Sequence, residues 1–148
     1  MSYVDASRPD DMGVGTNWPT AKKTSGAGLS ITLSNGTCNV AGGLYNESFS
    51  IPATITVAGT NWNTVIISNN GYVVTLGDTA GTLRDVTVKS GSRGVNMSGP
   101  SNLVERCQFQ GHSDAGVYVS AAGNVIRGCV FRGNTNGLGQ NSVQTVVE

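Results

Sequence analysis

The chain has 148 residues, the size of a single domain, and its formal net charge is zero with only 12% charged residues. Gly, Ser, Thr and Asn together supply 65 residues, and Val (18) outnumbers Leu (7). This composition disfavours a helical bundle and favours short strands joined by tight turns, while the scattered charge predicts neither nucleic acid nor an anionic membrane as a partner.

The first 37 residues lack a regular repeat and are interpreted as an N-terminal cap, followed by repeating coils over residues 38–148. Asp10 and Asp11 offer carboxylate oxygens to a calcium ion, the only candidate cofactor, although acids in such a segment also form turns. Two glycines within residues 25–28 disfavour a helix, and apolar residues alternate over residues 29–33. We expect a short helix or none over the first coil, with a strand as the alternative.

Apolar residues repeat with steps of 21 or 22 residues from about Ile55 onward. Five such columns run in phase: Val65, Val86, Cys107 and Cys129; Ile67, Val88, Phe109 and Phe131; Val74, Val95, Val117 and Leu138; Leu76, Met97, Val119 and Gln140; Trp62, Leu83, Val104, Ile126 and Val147. Within each unit the apolar residues lie two apart, as in strands, with turn residues between the pairs. The period predicts a parallel β-helix whose stacked coils bury these columns.

Other residues of the repeat have predicted places as well. A glycine column (Gly94, Gly116, Gly137) predicts a backbone position without room for a Cβ atom or at positive φ. The three cysteines form no CxxC pair, and we interpret them as small buried side chains rather than a zinc site or a disulfide framework. Trp18 and Trp62 are predicted to pack in the core; stacking on sugar rings is the alternative.

One outward column alternates in charge, with Arg84, Glu105, Arg127 and Glu148 on successive coils. It predicts a ladder of exposed salt bridges, in which Arg127 pairs with both glutamates. The functional alternative is a carboxylate pair, Glu105 and Glu148, flanking a glycosidic bond. Two coils would separate these carboxylates by about 10 Å, at the wide end of the spacing that inverting glycosidases use.

Two further groups are candidate site residues. His112 and Asp114 flank Ser113 in one turn and are weak catalytic candidates, because residues so close in sequence rarely reach triad geometry; a polar corner is the alternative. Tyr118 is placed outward beside Asn96 of the preceding coil, and the two are weak candidates for contact with a glycan. The alternative for Tyr118 is an incidental surface position.

The segment YVDASRPDDMGVGTNWPTAKKT (residues 3–24) and the later GGLYNES (residues 42–48) resemble motifs of pectate-lyase-like right-handed β-helix proteins. The resemblance implies an all-β, right-handed, single-stranded parallel β-helix with an N-terminal cap. Enzymes of this superfamily use clustered aspartates, often with calcium, and an arginine base. In this chain no two carboxylates share one column on adjacent coils, so enzymatic activity is uncertain and the sequence leans against it.

We expect a non-catalytic structural or glycan-contacting module of a larger assembly, with a bacteriophage virion (tail spike, fibre or capsid decoration) as the first choice. The start of the chain resembles no secretory signal and no apolar run is long enough to span a membrane, which fits a virion or extracellular location reached without a signal peptide. The repeat reaches Glu148 without a cap, so we expect an open end covered by other chains, with cell-surface polysaccharide as a further partner. The alternatives are a fragment or small member of a polysaccharide lyase or hydrolase family, and a unit that stacks head to tail into fibres.

Overall fold

Three parallel sheets run along the molecule in the computed structural model, which describes residues 1–140 and 145–148. The first sheet has the strand order β1 (Ser2–Val4), β2 (Thr37–Val40), β5 (Thr56–Gly59), β8 (Thr82–Arg84), β11 (Leu103–Glu105), β14 (Asn124–Arg127) and β17 (Thr145–Val147). The second contains β3 (Gly43–Tyr45), β6 (Val65–Ser68), β9 (Thr87–Lys89), β12 (Gln108–Gln110) and β15 (Val130–Arg132). The third contains β4 (Phe49–Ser50), β7 (Tyr72–Leu76), β10 (Arg93–Met97), β13 (Ala115–Val119) and β16 (Asn136–Gln140).

From β2 to β16 each of five coils contributes one strand to each sheet, and β1 and β17 extend the first sheet at its two ends, which confirms the parallel β-helix predicted from the repeat. The register pairs residues of the predicted columns directly, for example Val95 with Val117 and Phe109 with Phe131. Their side chains fill one continuous core, in which Phe109 and Val117 are fully buried. Parallel pairing in register explains the period, because a buried residue must recur once per coil to stack on its neighbour.

The N-terminal segment joins the solenoid through β1, which pairs with β2 so that Val4 lies beside Val40. A 3₁₀ helix spans Trp18–Thr20, and helix α1 spans Ser25–Ser30, which confirms the short helix rather than the strand alternative. Two contacts compensate for the glycines of α1. The hydroxyl of Thr24 caps its N-terminus by accepting from the N–H of Ala27 (3.2 Å), and the carboxylate of Glu47 accepts from the N–H of Ser25 (2.7 Å).

The predicted corner column is wrong at its first member, Trp62. Val57, not Trp62, pairs with Leu83, a step of 26 residues. Relative to the next coil, this coil has five additional residues between its strands in the first and second sheets, and residues 60–64 form a loop that projects from the solenoid. Trp62 lies in this loop and is only partly buried. Trp18 is 37% exposed and packs edge-on against Tyr3 in the cap, so neither tryptophan belongs to the core.

The lack of space predicted for the glycine column is confirmed at Gly94 and Gly116 but not at Gly137, where an added Cβ atom would meet the Phe131 side chain at an ordinary 3.5 Å. A Cβ atom on Gly94 would lie 2.4 Å from the carbonyl oxygen of Gly116, yet neither glycine adopts a positive φ, so that part of the expectation is wrong. Cys38 and Cys107 are fully buried as predicted, whereas Cys129 is partly exposed.

Among the described residues, no helix has the length and apolar character needed to cross a lipid bilayer.

Candidate functional site

The predicted pair of His112 and Asp114 is divided between the interior and the surface. The imidazole of His112 is 1% exposed, and its Nε2 donates to the carbonyl oxygen of Val88 at 3.2 Å, since a carbonyl can only accept. Burial lowers the pKa of His112, which favours the neutral ring. The carboxylate of Asp114 instead faces solvent and binds Arg93. The two side chains therefore form no acid–base pair.

The acids of the cap serve as local hydrogen-bond acceptors. Asp11 accepts from the N–H groups of Lys23 (2.6 Å) and Thr24 (2.8 Å) and from the Thr24 hydroxyl (2.9 Å), while Asp10 accepts from the N–H of Met12 (2.9 Å). Burial opposes ionisation of Asp11, but the bonds from Thr24 and Lys23 outweigh it and lower the pKa of that carboxyl. No group of three His, Cys, Asp or Glu side chains within residues 1–140 and 145–148 is arranged to hold a metal ion. The calcium site stays a prediction.

The charged column forms a ladder, but with partners the sequence analysis did not include. Arg127 binds Glu105 at 2.7 Å as predicted. The other predicted pairs are wrong: Arg84 binds Asp85 instead of Glu105, and within residues 1–140 and 145–148 no ion pair joins Arg127 to Glu148. Arg106 bridges the ladder by contacting both Glu105 (3.1 Å) and Asp85 (2.8 Å). Asp85, Arg106 and Gly128 all adopt positive φ, at 60°, 49° and 59°, so this corner position recurs once per coil, but its residue types differ from coil to coil and do not identify it in the sequence. The ion pairs occupy the Glu105 carboxylate, which weighs against its role as one of two hydrolytic carboxylates.

Asn96 and Tyr118 lie side by side on the third sheet, since β10 and β13 pair them in register. A side chain missed by the sequence analysis links them to the preceding coil. The guanidinium of Arg93 lies 3.5 Å from the centroid of the Tyr118 ring and 4.9 Å from that of Tyr72. Both distances are within the range of cation–π contacts, so Arg93 joins two aromatic rings across three coils.

Arg93 is held in place by two further side chains. Its Nε donates to Oδ2 of Asp114 at 2.7 Å, and its Nη1 donates to Oδ1 of Asn96 at 3.0 Å. Partial burial lowers the pKa of Arg93, but the hydrogen bond to Asp114 and the electrostatic effects of Tyr72, Asp114 and Tyr118 together outweigh it, so the net shift is upward and the guanidinium stays charged. Tyr72, Arg93, Asn96, Asp114 and Tyr118 are hereafter the tyrosine–arginine face.

The tyrosine–arginine face combines exposed aromatic carbon with planar hydrogen-bonding groups. Tyr72 is 49% exposed and the Asp114 side chain 43%. Gly139 of the next coil makes room for the Tyr118 ring, because a Cβ atom there would lie 2.8 Å from its Cδ2. One positive and one negative group balance the charge. Such a surface can pack against the C–H face of a ligand and hydrogen-bond its hydroxyl groups.

The sequence contains a signal for part of this face. Tyr72 and Arg93 are separated by the same 21-residue step as the buried columns and pair in register. Extending the periodicity analysis to outward polar positions would have placed them together, although the ring contacts themselves depend on side-chain conformation.

Comparison of the sequence with protein-family models gives no match, and comparison with curated proteins gives none either. Among solved structures the chain is similar to pectin methylesterase PemA from Erwinia chrysanthemi, with a TM-score of 0.58 and 12% identity over 97% of this chain and 54% of that one. It is similarly close to a mutant pectin methylesterase in complex with a hexasaccharide (TM-score 0.58, 12% identity, 86% of this chain and 49% of that one). The chain thus spans about half the length of these structures, and the likeness supports the right-handed β-helix fold.

Proposed function

We propose that the chain is a non-catalytic β-helix module that contacts carbohydrate through the tyrosine–arginine face, as part of a larger assembly. The observation that carries the proposal is the placement of Arg93 between Tyr72 and Tyr118, with Asp114 and Asn96 holding its guanidinium. This arrangement fixes two aromatic rings and several hydrogen-bonding groups before any ligand arrives, which reduces the entropic cost of binding. A polysaccharide is the proposed ligand class because the similar solved structures include a pectin methylesterase holding a hexasaccharide.

We propose a non-catalytic role because the carboxylate on this face, that of Asp114, is already engaged in an ion pair. General acid–base catalysis needs a group that holds or accepts a proton near the reacting bond, and Asp114 is bound to a charged arginine at 2.7 Å. The alternative is a fragment or small member of a polysaccharide lyase or hydrolase family, which is supported by the likeness to pectin methylesterases.

The assembly part of the proposal concerns the last described coil. Val146 and Val147 on β17 are 51% and 57% exposed, and an apolar strand of this kind favours association with another protein surface. We propose that this strand is covered either by a further coil of a longer chain or by a second protein surface. A virion as the setting, and head-to-tail stacking of copies as the mode of association, stay predictions.

Affinity electrophoresis in gels containing polygalacturonate, methyl-esterified pectin or dextran tests carbohydrate binding. The proposal predicts slowed migration in at least one polysaccharide gel, and a two- to tenfold loss of that affinity in Tyr72→Ala, equivalent to about 0.5–1.5 kcal/mol for an aromatic contact. Leu44→Ala is the matched control, because Leu44 is a 56% exposed strand residue of the second sheet.

Equal retention of Tyr72→Ala and the unmodified chain would refute the role of this face. Release of reducing ends, unsaturated products or methanol from the same polysaccharides would instead establish the enzymatic alternative.

A further inference from the structure

The five-residue loop that removes Trp62 from the core builds a groove elsewhere on the surface. The groove has a volume of about 240 Å³ and is lined by Thr60, Asn61, Trp62, Asp85 and Arg106. It lies where the chain passes from the first sheet to the second, whereas the tyrosine–arginine face is on the third sheet. The two are therefore separate surfaces.

The loop wall of the groove is anchored by hydrogen bonds to the solenoid. The carbonyl oxygen of Trp62 accepts from the hydroxyl of Thr87 at 2.6 Å, and Thr87 itself is buried in β9. The carbonyl oxygen of Asn61 accepts from the N–H of Val65 at 2.9 Å, which closes the loop at the start of β6. The backbone that carries the Trp62 ring is thus held by hydrogen bonds on both sides of the loop.

The opposite wall is an ion pair. Arg106 binds Asp85 through two bonds, from Nε at 2.8 Å and from Nη2 at 3.0 Å. The guanidinium of Arg106 has five N–H donors. Each of its three nitrogens makes one contact with Asp85 or Glu105, so two N–H donors remain for a ligand. The hydrogen bond from Arg106 is the main reason that the pKa of Asp85 is lowered, so this carboxylate stays an acceptor at neutral pH.

We propose that this groove is a second carbohydrate subsite, which takes one pyranose ring of a neutral saccharide. The indole ring of Trp62 packs on the C–H face of the sugar, while Arg106 donates to its hydroxyl groups and Asp85 accepts from them. The volume lies below the roughly 300–1,000 Å³ of sites for drug-sized ligands, which limits the occupant to about one ring. Asp85 and Glu105 also bind Arg84 and Arg127, so each arginine at this corner already faces a carboxylate. The hydroxyl groups of a neutral sugar can donate to Asp85 and accept from Arg106 without displacing these pairs, whereas a sugar carboxylate can only accept and has to compete with Asp85 and Glu105 for the arginines.

The two tryptophans of the chain permit a direct test. In a Trp18→Phe variant, Trp62 is the sole tryptophan and its fluorescence reports the groove. We expect glucose, galactose or mannose to change this emission saturably, with galacturonate binding more weakly. Arg106→Gln in the same background is expected to weaken binding about tenfold, as for loss of a hydrogen bond to a charged group.

Two controls separate this inference from the proposed function. Tyr72→Ala in the Trp18→Phe background must leave the sugar response unchanged, since Tyr72 lies on the other surface. If this variant loses polysaccharide retention but keeps the Trp62 response, the loss is confined to the tyrosine–arginine face. A Trp62→Phe variant, followed by saturation-transfer NMR of the sugar, is expected to retain binding that Trp62→Ala loses. Absence of a saturable response to all three neutral sugars, or equal binding of galacturonate, would overturn the inference.

Discussion

Asn102 and Asn124 stack on neighbouring coils at the corner that leads from the third sheet to the first. The side-chain Oδ1 of Asn124 accepts from the main-chain N–H of Asn102 at 2.8 Å, and Oδ1 of Asn102 accepts in the same way from Gly81 at 2.7 Å. Both side chains are buried, at 1% and 0% exposure. Since an unpaired buried polar group is costly, this amide ladder lets the chain turn inside the solenoid without losing hydrogen bonds.

Replacing Asn102 with Ala is expected to destabilise the fold by about 1–3 kcal/mol, because it leaves the N–H of Gly81 buried and unpaired. It also removes donors to the carbonyl oxygens of Asp78 and Gly99. Urea unfolding measures the change, with Asn70→Ala as the exposed control. An Asn102→Ala variant as stable as the control would show that the ladder is dispensable.

Substitutions at Cys107 test whether its column of residues faces the core of the solenoid. Cys107 is fully buried and burial raises the pKa of its thiol, so a charged group at this place is strongly disfavoured. Cys107→Asp is expected to lower the free energy of unfolding by several kcal/mol. Cys107→Val, which extends the column of Val65 and Val86, is expected to cost less than about 1.5 kcal/mol. Equal melting temperatures for the two variants would contradict the buried placement.

His112 predicts a pH dependence of stability. Because burial lowers its pKa in the folded state, the unfolded chain binds the proton more readily below about pH 6.5. The stabilisation by neutral His112 is therefore complete above that pH and is lost progressively as the pH falls toward the lowered folded-state value.

Urea unfolding between about pH 7.5 and 5.5 measures this effect. His112→Gln removes the titrating group and keeps a donor for the carbonyl oxygen of Val88. Its stability is expected to fall less over this range than that of the unmodified chain. Parallel pH profiles for the two proteins would be inconsistent with a buried neutral imidazole.

Two glycines are expected to respond oppositely to substitution. A Cβ atom on Gly99 would lie 2.0 Å from the carbonyl oxygen of Asp78, so Gly99→Ala is expected to cost about 1–3 kcal/mol through a forced backbone shift. A Cβ atom on Gly26 in α1 would meet nothing within 4 Å, and Gly26→Ala is expected to stabilise the protein by about 0.5–1 kcal/mol. Thermal unfolding of both variants tests the pair, and a shift of the same sign in both would refute this account.

Much of the fold was predictable because coil stacking leaves a direct mark on the sequence. Val95 and Val117 had to be apolar and 22 residues apart, since one buries the other in the next coil. The outward place of Tyr118 beside Asn96 followed from the same register. The error at Trp62 arose because the five additional residues put the positions before the loop, such as Val57, out of step with the next coil, while an apolar residue in the loop happened to match the period.

The sequence by itself therefore determined the solenoid, its repeat and most of the residues that face its core, because these follow from burial repeated once per coil. Only the tertiary structure decided which surface groups meet. The contact of Arg93 with Tyr72 and Tyr118, the Asp85–Arg106 pair and the groove beside Trp62 depend on side-chain conformations and on positive-φ corners. Outward side chains are free of the packing constraint that imposes a period on the core, so their contacts leave a much weaker pattern in the sequence.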